Sequence, residues 1–268
     1  AIEMNKDFYD CYWNRALVLL LLGRFEQGWK DYEFRFKKKS PTDSRSFNKL
    51  KWDGCSLEGK KILVIAEQGF GDCIQFVRYL PFIKDTGAYI ILECKKELKS
   101  LFECLTWIDE FVEKDEDIAK LDYDYYIHLM SLPYLFKTNI NNIPNNTPYI
   151  FARTDLVQKF KSETNNDCFK VGIVWSGNPK QDTNDKRLIP YEKFKVLNNI
   201  PGVKLYSLQK GDAAAEVDDM ISDFSGKIND FSDTAAIIEN LDLIITADTS
   251  VAHLSGAMNK KTWILLSS

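Results

Sequence analysis

The chain has 268 residues, 45% hydrophobic and 28% charged, a composition that argues against disorder and allows about two domains with cores of their own. A net charge of −4 leaves no basic footprint, which argues against a nucleic-acid partner or an anionic membrane surface. The longest aliphatic run, residues 16–22, is far too short to span a bilayer, and Glu3, Lys6, Asp7 and Asp10 interrupt any signal-peptide pattern.

Residues 12–36 carry a helical periodicity broken once, at Leu22-Gly23-Arg24-Phe25. Ala16, Leu19 and Leu20 precede the break; Phe25, Trp29 and Tyr32 follow it at spacings of four and three. Two antiparallel helices joined at Gly23 account for the pattern, because glycine tolerates the positive φ of a helix C-terminus. Helix, Leu-Gly-x-aromatic, helix resembles one tetratricopeptide repeat, and a lone repeat cannot bury its own face. It must pack on the next domain or on further repeats. Residues 37–46 are charged and polar and read as a linker.

Strands and helices then alternate. Strands are expected over 61–66, 88–93 and 123–129, with helices over about 72–86 and 95–105. The Asn- and Pro-rich stretch 139–148 reads as a crossing between domains. A second set follows, with strands over 170–175, 203–208, 243–246 and 262–266. Helices are expected over 191–198, 213–221, 232–240 and 250–258. The fold class is therefore α/β, with two Rossmann-like doubly wound domains preceded by a short all-α helical hairpin. The boundaries predicted are 1–38, 39–145 and 146–268. Ala1 in place of a methionine, and a core-strand pattern at the last residues, read as a fragment of a longer protein.

Three strand ends carry polar turns where such sheets bind ligands. In Glu67-Gln68-Gly69-Phe70-Gly71-Asp72 two glycines allow close approach of a ligand, and Asp72 sits where a helix begins, either as its N-cap or as an acid facing a cleft. After Trp175, the Ser176-Gly177-Asn178 turn leads into a polar loop that delivers Lys186 and Arg187, cations suited to a diphosphate or to plain solvation. Asp248-Thr249-Ser250 forms a strand-to-helix turn whose free N–H groups attract an anion, and His253 lies one turn further on. The pairs Asp115/Asp117 and Asp122/Asp124 resemble metal-binding DxD signatures but lie outside these loops, so no metal site is expected. Cys11, Cys55, Cys73, Cys94, Cys104 and Cys168 form no CxxC pair, which fits a reducing cytoplasm and buried thiols.

At these loops the sequence resembles the bacterial tetratricopeptide-repeat glycosyltransferases related to the ADP-heptose:lipopolysaccharide heptosyltransferases, glycosyltransferase family 9-like. The matching runs are residues 52–59, 67–81, 131–133, 171–179, Ser207-Leu208-Gln209 and 248–257, in that order, with 22–33 matching the repeat ahead of the catalytic part. The resemblance implies a GT-B fold and metal-independent, inverting transfer from a nucleotide-sugar donor to a protein or glycan acceptor, which the repeat helices would present. It implies that Asp72 is the catalytic base and that Gln68, Gly69 and Gly71 form the acceptor-side loop. The donor would be held by Ser176, Gly177, Asn178, Lys186, Arg187, Gln209, Lys210, Asp248, Thr249, Ser250 and His253. No cofactor and no metal are implied. The sequence departs from the family in lacking the helices that usually follow the last strand and in keeping about one repeat. Two rival readings are a non-catalytic scaffold on a degenerate GT-B fold, which would bind no nucleotide sugar, and a GT-B epimerase, which its products would reveal.

Overall fold

The computed structural model describes residues 2–114, 116–177 and 188–266. The chain divides into two compact units. The first comprises Ala1–Gln68, Phe76–Lys95 and Thr106–Asn145; the second comprises Gly69–Gln75, Lys96–Leu105 and Asn146–Ser268.

The first unit opens with helices α1 (Tyr9–Leu21) and α2 (Phe25–Tyr32), separated by a turn in which Gly23 takes φ 71°. The two helices approach so closely that a Cβ on Gly28 would lie 2.8 Å from Leu20 Cδ2. Arg15 ties them together, donating from Nε to Asp31 Oδ2 over 2.6 Å. Their inner face packs on the α/β layer of the same unit: Tyr32 is buried with its hydroxyl 3.5 Å from Met130 Sδ, and the rings of Trp29 and Phe76 meet edge-on at 6.1 Å. A 3₁₀ turn, Glu33–Phe36, follows α2. The opposite face of α1 leaves Leu17, Val18 and Leu21 exposed.

Five parallel strands form the first sheet: β1 (Leu50–Lys51), β2 (Lys61–Ile65), β3 (Tyr89–Cys94), β4 (Glu110–Glu113) and β5 (Tyr125–His128). Their order is β1-β5-β2-β3-β4. The central strands are buried almost throughout, as parallel strands covered on both faces must be. The second sheet is also all parallel, with β6 (Phe169–Val174), β7 (Val203–Ser207), β8 (Ser222–Asp223), β9 (Leu243–Ala247) and β10 (Thr262–Leu265). Its order is β10-β9-β6-β7-β8. Val171, Ile173 and Trp175 alternate onto one face of β6 and build a core with Tyr191, Phe194, Leu205 and Ile245. On the other face, Gly172 makes room for Ile244, Leu241 and Leu208, the first two of which a Cβ would meet at 2.8 Å.

Several expectations change. The helix expected over 72–86 is three pieces: α3 (Phe70–Phe76), a 3₁₀ turn at Val77–Tyr79 and α4 (Leu80–Lys84). Pro81, which cannot donate, stands in the first turn of α4, where no donor is needed. The helix expected over 213–221 shrinks to a 3₁₀ turn, Asp212–Glu216. The sequence reading also lacks β4 and the helix Thr154–Thr164. The stretch read as a linker is tied down, because Asp43 Oδ2 lies 3.1 Å from His128 Nε2 and Arg45 Nη1 donates to Glu93 Oε2 over 2.8 Å.

Candidate active site

In the second sheet the chain runs from β6 outward through β7 to β8, then returns to place β9 on the other side of β6. The switch point of the topology thus lies between β6 and β9, the position at which open α/β sheets bind ligands beyond the carboxyl ends of their strands. Val174 pairs with Thr246 and Ile173 with Ser207. That register brings Ser176, Gln209 and Asp248, each two residues beyond a paired position, to one edge of the sheet. In the first sheet the switch point lies between β2 and β5, and the turn beginning at Gln68 leaves the end of β2 there.

The turn after β9 is built as a helix start. Thr249 caps the helix Ser250–Ala257, its hydroxyl accepting from Val251 N over 3.3 Å, and Thr246 Oγ1 lies 3.0 Å from the same hydroxyl. Asp248, Thr249 and Ser250 are all half-buried. His253 stands on the first turn of this helix, and its imidazole rests on the backbone of Gly71: a Cβ there would sit 2.6 Å from His253 Cδ2 and 3.1 Å from Nε2. The second unit therefore brings together the Gly69–Asp72 turn and the Asp248–His253 turn, two stretches separated by more than half the chain.

Asp72 is the third residue of α3, not its cap. Its Oδ2 reaches back to accept from Gly69 N over 2.9 Å, the returning half of a capping box. Gln68, the residue before this turn, takes φ 67°, and its carbonyl accepts from Lys95 Nζ over 3.1 Å. Phe70 packs its ring on Phe231 with centroids 5.0 Å apart, fixing the outer side of the turn.

On the β6 side, Ser176 is 6% exposed, and its N–H donates to Gln209 Oε1 over 3.0 Å. Gly177 is the last described residue before the loop; Asn178, Lys186 and Arg187 lie outside the described residues. Gln209 is buried, and Lys210 donates from Nζ to the carbonyls of Ser225 and Ile228 over 2.7 and 2.8 Å. Gln209 therefore lies beneath the turns, whereas Lys210 is exposed with its ammonium held by main-chain carbonyls.

The DxD carboxylates have structural partners. Asp117 caps a 3₁₀ turn at Ala119 N, Asp122 pairs with Lys61, and Asp124 accepts from Lys61 N over 2.9 Å. Asp115 lies outside the described residues. Among the described residues no three His, Cys, Asp or Glu side chains form a metal-holding group.

One cluster escaped the sequence reading. Arg35, fully buried in the 3₁₀ turn after α2, donates from Nη2 to Glu67 Oε1 over 2.7 Å and from Nε to Oε2 over 2.9 Å. Nη2 also donates to Ser131 Oγ over 2.8 Å, and Met130 N donates to Glu67 Oε1 over 3.3 Å. The cluster fastens the helical segment to the end of β2, directly ahead of Gln68. Its only trace in the sequence is a charged residue, Arg35, between two aromatic ones, Phe34 and Phe36. Glu33, which accepts from Arg35 and Lys51, is shifted below the usual carboxylate range: burial raises its pKa, and the two cations outweigh that.

The packing of His253 on Gly71 gives a direct test. Gly71→Ala inserts a methyl group where the imidazole stands, and overpacking of this kind costs about 1–3 kcal/mol. A lowered denaturant midpoint with an unchanged m-value is the expected outcome. A midpoint equal to that of the wild type would show that the imidazole yields without cost.

No family model matches the chain. It is 24% identical to Protein FlbA of Caulobacter vibrioides across 94% of its own length, and it spans about half (47%) of that relative. Among solved structures, the glycosyl transferase family 9 protein of Veillonella parvula superposes with a TM-score of 0.59 at 15% identity, covering 81% of this chain and 88% of that one. The ADP-heptose LPS heptosyltransferase II of E. coli gives 0.55 at 12% identity, covering 77% and 84%. At these identities the likeness is one of fold, shared with the glycosyltransferase family 9 structures. Among the described residues no helix is long and apolar enough to cross a membrane.

Proposed function

We propose that the chain is the catalytic part of a metal-independent glycosyltransferase that uses a nucleoside diphosphate sugar and inverts the anomeric carbon. The observation that carries this reading is the meeting of the Gly69–Asp72 turn with the Asp248–His253 turn in a fold shared with family 9 transferases. Residues 1–38 are read as a tetratricopeptide remnant, 39–145 as the acceptor-side domain and 146–268 as the donor domain of a bacterial cytoplasmic enzyme.

In this reading an acceptor hydroxyl, on a protein or glycan, attacks the anomeric carbon. The new C–O bond forms as the bond to the diphosphate oxygen breaks. Asp72 takes the hydroxyl proton, and the departing diphosphate carries away the bonding pair. The helix start at Ser250, the Ser176–Gly177 turn, Lys186 and Arg187 stabilise the charge that develops there, usually the largest single contribution to such catalysis. The ADP-heptose in the name of the E. coli neighbour makes ADP the first nucleotide to try.

The reading is tested by melting the protein with ADP, UDP or GDP in the presence of EDTA. A nucleotide at a hundred times its Kd is expected to stabilise by about 2.7 kcal/mol. Stabilisation that needs Mn²⁺ and vanishes in EDTA would end the metal-free proposal. Binding to none of the three would leave the scaffold reading.

A further inference from the structure

Gln209 looks from the sequence like a donor ligand, yet its side chain has no capacity left for one. It is 2% exposed. Its Oε1 accepts from Trp175 N over 3.1 Å and from Ser176 N over 3.0 Å. Its Nε2 donates to Ser176 O over 3.0 Å and to Lys210 O over 2.8 Å. A primary amide has two acceptor sites and two donor hydrogens, and here all four are used on backbone groups. Two N–H groups facing one atom and two carbonyls facing the other leave a single assignment of oxygen and nitrogen. The backbone ladder between β6 and β7 pairs Ile173 with Ser207 and makes one further bond, from Leu208 N to Ile173 O over 3.1 Å. Beyond that point the Gln209 side chain replaces the ladder, holding Trp175 and Ser176 in line although the strands have parted.

We propose that Gln209 is a positioning residue: it fixes the backbone of Trp175 and Ser176 so that the Ser176–Gly177 turn is shaped for the donor before the donor arrives. The proposal rests on the donor reading given above. Lys210 extends the same brace, since its ammonium is held by the carbonyls of Ser225 and Ile228 beyond β8. Three neighbouring strand ends are thereby tied to one another by side chains engaged with main-chain groups.

Direct contact and positioning differ in the unliganded protein. Amide hydrogen exchange of the wild type without nucleotide is expected to show Trp175 and Ser176 protected like the core of β6, and ADP is expected to change their rates little. Exchange at the rates of an open loop, with protection appearing only on ADP binding, would overturn the proposal and make Gln209 a ligand. Gln209→Met keeps the length of the side chain and removes the amide. Its expected signature is exchange at these two amides faster by at least about tenfold without nucleotide, together with an ADP Kd raised about tenfold in calorimetry. Faster exchange with an unchanged Kd would overturn the link to the donor. Failure of the donor reading looks different: the wild type itself then binds none of ADP, UDP and GDP, and the proposal falls with it.

Discussion

Asp72→Asn is expected to lower sugar transfer by about 10²–10⁴-fold, the usual cost of losing a general base. The substitution isolates that loss. The amide oxygen of asparagine can still accept from Gly69 N, the bond that Asp72 makes over 2.9 Å, so the start of α3 keeps its geometry. The amide differs from the carboxylate in being unable to take up the acceptor proton. Donor affinity and melting temperature are therefore expected to stay near those of the wild type, with the loss confined to kcat. Transfer at close to the wild-type rate would reduce Asp72 to its capping role. A variant that unfolds would show that Gly69 needs a charged acceptor.

Glu67→Ala is expected to have the largest effect on stability. Arg35 has no exposed surface, and Glu67 supplies two of its bonds, at 2.7 and 2.9 Å. Without Glu67 a buried guanidinium keeps Glu33, Ser131 and the Tyr32 carbonyl but loses its main counter-charge. Removing one partner of a buried pair costs about 3–5 kcal/mol, well above the worth of a surface ion pair. Urea unfolding with a midpoint lowered accordingly is the expected result. A double substitution of Arg35 and Glu67 by Met is expected to recover much of the loss, because the uncompensated charge is then gone. If the single and double variants are equally destabilised, the cost lies in packing and not in charge.

The parts of the fold legible in the sequence are those whose burial is written as apolar runs. β2 reads Lys-Ile-Leu-Val-Ile and β9 reads Leu-Ile-Ile-Thr-Ala, with turns rich in glycine or short polar side chains behind them. The edge strand β4, Glu-Phe-Val-Glu, fully buries only its valine and so carries little signal. The helix Thr154–Thr164 fully buries only Phe160 and Thr164, and its many charged residues read as loop. For the site, the helix start at Ser250 was legible because a capping hydroxyl, Thr249, precedes it. The turn after β2 was only half legible: its positive φ falls on Gln68, and Gly71 makes room for the His253 ring rather than for a backbone turn. The buried role of Gln209 was not, since a polar residue beside a loop reads equally as ligand or brace. Nor was the pairing of Arg35 with Glu67, which joins residues 32 apart and places charge where composition rules expect none.

The stretch between the helical segment and β1 alters how anything carried by the helices would be delivered. Ten residues of free linker would let its ends wander over about 17 Å, and a tethered group would then be felt as a dilute local concentration. Here Arg35, Asp43 and Arg45 are fastened in turn to Glu67, His128 and Glu93, at the ends of β2, β5 and β3. The tether has almost no slack. Anything held on α1 or α2 would be presented to this unit at one distance and in one orientation, so its effective concentration would be set by fit alone. Lengthening that stretch with Gly and Ser would leave the distance short enough to span while abolishing the orientation.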